Sequence, residues 1–262
     1  MGKSLTYTTY LKIDELLELQ QPESDPAEHD EMLFIIIHQT YELWFKQILH
    51  EFDKLRADLA AGRSWDAAKT MRRVLTILKT MVAQIDILET MTPLEFNSFR
   101  GFLQQASGFQ SVQFREMEIL CGMRSPHIID VHREQPHLQK KLIAREKEQT
   151  LWEAFCSFLR TKGYDMQMPE RRNEQGLVYD PSEHNQSVLL DVMRNDAESA
   201  QLCELFVDYD EGLMEWRYRH VKMVERTIGT KRGTGGSDGA GYLRSTLHHP
   251  IFPDLWEIRT QF

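Results

Sequence analysis

The stretch Phe34-Ile35-Ile36-Ile37-His38-Gln39-Thr40-Tyr41-Glu42-Leu43-Trp44-Phe45-Lys46-Gln47-Ile48 decides how this 262-residue chain folds. Its apolar residues do not alternate. They recur every three or four positions, through Leu33, Phe34, Ile37, Tyr41, Trp44, Phe45 and Ile48 and on to Phe52, Leu55 and Leu59, which is the spacing of one face of an α-helix. A long helix therefore begins at about Pro26 and ends at Gly62. It carries one polar ring, His38, among the residues of its apolar face.

Working outward, Ser64 stands where a capping residue is wanted, ahead of a second seam of Trp65, Ala68, Met71, Leu75, Leu78, Val82, Ile85 and Leu88. The short turn makes this an antiparallel neighbour. Thr92-Pro93-Leu94-Glu95 pairs a capping threonine with a first-turn proline and a glutamate three residues on, and so predicts a helix running to about Gln105. Ser107-Gly108 interrupts before a further helix that Gly122 closes. Pro126 and Pro136 bracket a connector with His127, His132 and His137, and Pro136 to Arg160 reads as helix again. Met166 to Pro181 has little periodicity and reads as a surface loop. A second long helix carries Leu202, Leu205, Phe206, Tyr209, Leu213, Trp216, His220, Met223 and Val224 and stops at Gly229. At the other end, Tyr7 to Gln20 reads as a short amphipathic helix, with Tyr7, Tyr10, Leu11 and Leu17 as its apolar positions. No segment alternates with period two for long enough to build a sheet. The expectation is an all-α chain, one helical-bundle domain over residues 1–262, with two long helices flanking a pocket.

Composition narrows the function. Apolar residues make up 41% of the chain and charged residues 27%, enough for a substantial core. Forty acidic against thirty-one basic side chains leave a net charge of −9, the wrong sign for a protein that tracks a phosphate backbone, so no nucleic-acid partner is expected. Cys121, Cys156 and Cys203 are widely spaced within apolar stretches and form no CxxC, as reduced core thiols do. The longest apolar run, Met32 to Ile37, falls far short of the ~20 residues that cross a bilayer, and no secretory pattern opens the chain. The expected setting is cytoplasmic, without a membrane partner.

Two histidines stand out because each lies on the apolar face of a long helix lined with aromatic residues. His220 follows Trp216 by four positions and precedes Met223 by three; His38 lies within a turn of Phe34, Tyr41 and Glu42. Each is either a core histidine satisfied by one hydrogen bond or, for His220 above all, an axial ligand to a haem iron. Two such rings on aromatic-lined helices favour a flat cofactor between helices. Other metals fit poorly. The single Glu-x-x-His, Glu134 to His137, has Pro136 inside the required turn. There is no HExxH, and without CxxCH any haem is held non-covalently. The glycine-rich segment Gly233-Thr234-Gly235-Gly236-Ser237-Asp238-Gly239-Ala240-Gly241 is either a surface loop or a backbone that approaches a small ligand, with Thr234 offering a hydroxyl. Arg100, near Phe96, Phe99 and Phe102, either lays its stem along the surface or grips a carboxylate.

A series of motifs then carries a resemblance. Leu5-Thr6-Tyr7 with Tyr10-Leu11, His29 to Trp44, Phe96 to Arg100, Ser107-Gly108-Phe109-Gln110-Ser111, Trp216-Arg217-Tyr218-Arg219-His220 and Gly233 to Ser237 stand in the order found in the tryptophan 2,3-dioxygenase family, which the chain closely resembles from about Leu5 to Thr260. The resemblance implies an all-helical, cytosolic homotetramer with one non-covalent haem b per subunit. It implies insertion of O2 across the C2–C3 bond of the indole ring of L-tryptophan, giving N-formyl-L-kynurenine, the first step of tryptophan catabolism and of the kynurenine pathway. By position, His220 corresponds to the proximal iron ligand, with Trp216 one turn away and Ser107 near the haem edge. His38 corresponds to the distal histidine that meets the indole N–H, Arg100 to the clamp on the substrate carboxylate, and Thr234 to a partner of the ammonium and carboxylate. Phe34 and Phe96 wall the indole. Tyr7, Tyr10 and Leu11, within an N-terminal segment 1–25, reach a neighbouring subunit's pocket. Asp238 stands where relatives commonly carry a small hydroxyl residue, and Phe96 where some carry tyrosine. The alternative function is a haem protein that acts on another indole derivative or senses haem.

Overall fold

The computed structural model describes residues 4–123, 129–171, 178–231, 233, 240–245, 247 and 249–262. Its helices are α1 (Tyr7–Leu11), α2 (Ile13–Leu17), α3 (His29–Ala60), α4 (Ser64–Leu88), α5 (Pro93–Arg100), α6 (Val112–Leu120), α7 (Pro136–Glu146), α8 (Leu151–Thr161), α9 (Glu183–Asn195), α10 (Ala197–Ile228), α11 (Ala240–Ser245) and α12 (Pro253–Glu257). Among the described residues the β-structure amounts to one isolated antiparallel bridge, Arg171 with Tyr179. The fold is all-α.

Helix α4 packs against both α3 and α10, and these three form the frame. Their facing stripes supply the centre of one continuous core, which includes Phe52, Leu55, Met71, Leu78, Phe206 and Tyr209. Phe52 of α3 meets Tyr209 of α10 edge to face at 5.6 Å, a favoured aromatic geometry. Two buried polar groups tie this core together. Tyr41 donates its hydroxyl to the Met81 carbonyl at 2.7 Å, binding α3 to α4, and burial raises its pKa to about 12. Asp210 accepts from the amides of Ile251 and Phe252 and from the Trp256 indole, so the C-terminal segment is tied to the middle of α10.

Four boundaries differ from the sequence reading, each for a local reason. The N-terminal helix is split at Lys12, whose left-handed backbone (φ 56°) ends α1 and starts α2. Ser64 lies inside the first turn of α4 and does not cap it; its hydroxyl instead bonds Glu198 near the start of α10. The Thr92–Glu95 capping box forms as the motif predicts, but α5 ends at Arg100 and a 3-10 turn, Gly101–Leu103, follows it. Finally, the expected helix from Pro136 to Arg160 is two helices, because Thr150 and Glu153 form a second capping box and restart the chain as α8.

The amphipathic face expected at the N-terminus finds no cover among the described residues of this chain. Tyr7 is 75% exposed and Tyr10 69%, and neither α1 nor α2 buries a residue. The three cysteines are free and buried. Among the described residues no helix is long and apolar enough to cross a membrane.

Candidate active site

Helices α3, α5, α6 and α10 enclose a large cleft. It holds about 1740 Å³ of empty space with its open mouth included. Phe34, His38, Phe96, Arg100, Ser107, Trp216 and His220 all line it. Residues from four separate regions of sequence thus meet at one place. Tyr7, Tyr10 and Leu11 are not among the lining residues of this chain. Thr234 and Asp238 lie outside the described residues, although the adjoining Gly233 is on the cleft wall.

Each histidine is neutral and presents a particular edge. Burial pulls the pKa of His220 down to about 4, with a smaller push in the same direction from His38. Its ring lies parallel to the indole of Trp216, with centroids 5.3 Å apart. Trp216 in turn packs against Phe114, Phe45 and Tyr41, so the platform beneath the imidazole is fixed. His38 has its pKa lowered chiefly by desolvation, against the opposing effects of a hydrogen bond to Phe34 and the charge of Glu42. Its Nδ1 lies 2.7 Å from the Phe34 carbonyl oxygen. A carbonyl only accepts, so Nδ1 carries the proton and Nε2 keeps a lone pair.

Around His38 the wall is aromatic. Phe34, Phe96 and Phe99 form a triangle with centroid separations of 5.4–5.8 Å. Arg100 follows Phe99 directly at the last position of α5, which puts a guanidinium beside an apolar slot. Ser107 opens the short turn Gly108–Gln110, where its side chain accepts the Phe109 amide, and Ser111 caps α6 in the same way.

A charged cluster in the same wall escaped the sequence reading. Arg115 is buried, donates to both the Phe109 carbonyl and Glu118, and lies over the Phe109 ring. Glu118 also accepts from Arg217 of α10 at 3.4 Å. The signal was present: α6 holds Arg115, Glu116 and Glu118 within nine residues and buries all three, and the Arg–Glu pair has i,i+3 spacing. Tyr41 and Glu42 are further cleft residues that the helical pattern placed but did not single out.

This donor set suits a metallated macrocycle better than a bare ion. Among the described residues no group of three or more His, Cys, Asp or Glu converges on one point, as a protein-built metal cage requires. A single neutral imidazole facing a broad, largely apolar cleft is what an iron porphyrin needs from its protein, because the ring supplies the other four ligands.

The comparisons with known proteins agree with one another. A family model described as tryptophan 2,3-dioxygenase matches residues 1–168 and 129–262. The chain is 54% identical over 261 residues to a tryptophan 2,3-dioxygenase of Herpetosiphon aurantiacus, covering 99% of each chain. It is 51% identical over 256 residues to one of Anaeromyxobacter dehalogenans, covering 98% of this chain and 96% of that one. A Nocardioides relative of the same name is 45% identical over 265 residues. With two neutral histidines, an aromatic slot and an arginine gathered in one cleft, and relatives matched from end to end, the chain belongs to the tryptophan 2,3-dioxygenase family.

Proposed function

We propose that this protein is a haem-dependent dioxygenase that opens the indole ring of L-tryptophan with O2 to give N-formyl-L-kynurenine. The observation that carries the reading is the pairing of His220, neutral and braced on Trp216, with His38, whose Nε2 lone pair is available in the same cleft. Haem b, when bound, would supply the iron chemistry that activates O2. His220 is the residue that would hold that iron, and Trp216 and Ser107 line the cleft that would house the macrocycle.

The rest of the work is binding and orientation. The lone pair of His38 matches the indole N–H, which is a donor only. Arg100 matches the substrate carboxylate in a setting where low dielectric strengthens a charge-assisted pair. Phe34 and Phe96 enclose the ring and exclude water, and Thr234 completes the grip on the amino-acid end. Holding the substrate at both ends fixes the indole against the oxygen, a proximity effect. His38, with its pKa lowered, accepts a hydrogen bond here without being charged.

Residues 1–262 act as one domain in this reading, in a cytoplasmic homotetramer. The support is the exposed α1, whose Tyr7, Tyr10 and Leu11 are left uncovered by the described residues of their own chain and suit a neighbour's cleft. The test is direct. Ferrous protein supplied with O2 and L-tryptophan should accumulate the absorbance of N-formylkynurenine, and a protein that carries haem but forms no such product would refute the activity.

A further inference from the structure

We propose that a second, smaller cavity beside the cleft is a docking place for dioxygen. The identity of the occupant rests on the function proposed above, but the apolar character of the cavity does not. Phe114, Glu118 and Arg217 line both spaces and form the wall between them. The far side is built by Met117, Val178, Leu213 and Ile251. About 10 Å³ is left for the centre of a water-sized molecule, so the space holds one small molecule and nothing larger.

Size alone would admit water, but the chemistry of the wall does not reward it. A buried water needs two to four polar partners. The polar groups here turn toward one another: the Cys121 thiol and the Tyr209 hydroxyl lie 3.4 Å apart and share a hydrogen bond, and Glu118 accepts from Arg115 and Arg217, so the surface left facing the cavity is almost wholly apolar. Of the residues around this cavity, none has a buried side-chain nitrogen or oxygen lacking a partner among the described residues. A void of this kind stays dry and takes apolar guests, and O2 is the one apolar molecule of that size that the proposed reaction consumes.

The wall is also stiff. Gly122 has φ +107°, and a Cβ placed there would collide with Val178 and the Tyr179 hydroxyl, so Val178 is pressed into a position that only glycine leaves open. On the cleft side Phe114 packs on Trp216 at 5.2 Å. A guest behind Phe114 is therefore one side chain away from the platform of His220.

Xenon is the probe. Crystals of the haem-loaded protein pressurised with xenon should show a peak between Met117, Leu213 and Ile251. Val178→Ile should fill the space, abolish that peak and raise the KM for O2 by about fourfold, one methylene's worth of apolar contact, with the KM for L-tryptophan unchanged. Ile251→Val, which enlarges the space, should raise xenon occupancy and leave the KM for O2 no higher. An ordered water in place of xenon, or an unfilled cavity, overturns the proposal, and so does a KM for O2 that ignores Val178→Ile while xenon is lost. Absence of N-formylkynurenine would count against the activity and not the cavity, because xenon binding is read independently of turnover.

Discussion

The imidazole of His220 lies flat on the indole of Trp216, with ring planes within 3° of parallel. The two residues are one helical turn apart on α10, so the stack is built by the helix and then clamped by Phe45 and Phe114. A ring held in this way loses little freedom when it binds a metal. His220→Ala should retain the helical fold and lose haem, read as Soret absorbance per mole of protein. Trp216→Phe should keep haem but weaken it by about 0.5–1.5 kcal/mol, the worth of an aromatic pair, read as the haem dissociation constant.

The two lowered histidine pKa values give the haem-free protein an acid limit. A histidine whose folded pKa lies below its unfolded value binds fewer protons when folded, so its contribution is complete above the unfolded pKa and drains away as pH falls. For His220 that window runs from the ordinary imidazole value of 6.5 down to about 4, and His38 acts in the same direction. Thermal denaturation of haem-free protein should show Tm falling through this window. Haem should reduce the fall, because an imidazole bound to iron is no longer open to a proton. A Tm independent of pH between 6.5 and 4 would contradict this.

Arg100 should act on the carboxylate end alone. Arg100→Ala should cost about 1.5–3 kcal/mol in kcat/KM for L-tryptophan, as loss of a hydrogen bond to a charged group does. Tryptamine, which has no carboxylate, should lose far less. Arg100→Lys keeps the charge but not the planar fork and should recover only part of the loss.

Deleting residues 1–11 should leave the subunit's own core intact, since α1 buries nothing. Turnover should nevertheless fall, because the aromatic residues removed belong to a neighbour's cleft in the proposed assembly. Circular dichroism and steady-state kinetics together check this, and undiminished kcat/KM would remove the cross-subunit role.

Thr150 joins two structural duties. It caps α8 reciprocally with Glu153 and shares a 2.6 Å hydrogen bond with the buried Tyr179 hydroxyl. Thr150→Ala should therefore cost more than an ordinary cap, about 2–4 kcal/mol, from a cap of ~1 and an orphaned buried hydroxyl of ~1–3. Chemical denaturation measures it, and Thr150→Ser should restore most of the stability.

The Thr150–Glu153 box shows where sequence reading stops. It has the same pattern as Thr92–Glu95, but Pro93 and a preceding apolar seam mark one as a helix start, while the other follows a run of charged residues that reads as uninterrupted helix. Arg115 and Glu118 were overlooked for a related reason: charges usually mark a solvated face, and their burial becomes visible only once Phe109 and Arg217 are in place around them. Motif order revealed the cleft residues, but not which nitrogen of His38 is free, since that depends on its distance to a backbone oxygen one turn earlier.

Spacing within three or four residues was enough to establish the long helices α3, α4 and α10 and where they stop, because helix formation is governed by neighbours at that range. That His38, Arg100 and His220 share one cleft, and that both imidazoles are neutral there, follows from α4 drawing α3 and α10 together and from water being expelled between them. Desolvation is a property of the assembled surroundings, and no single segment of chain carries it.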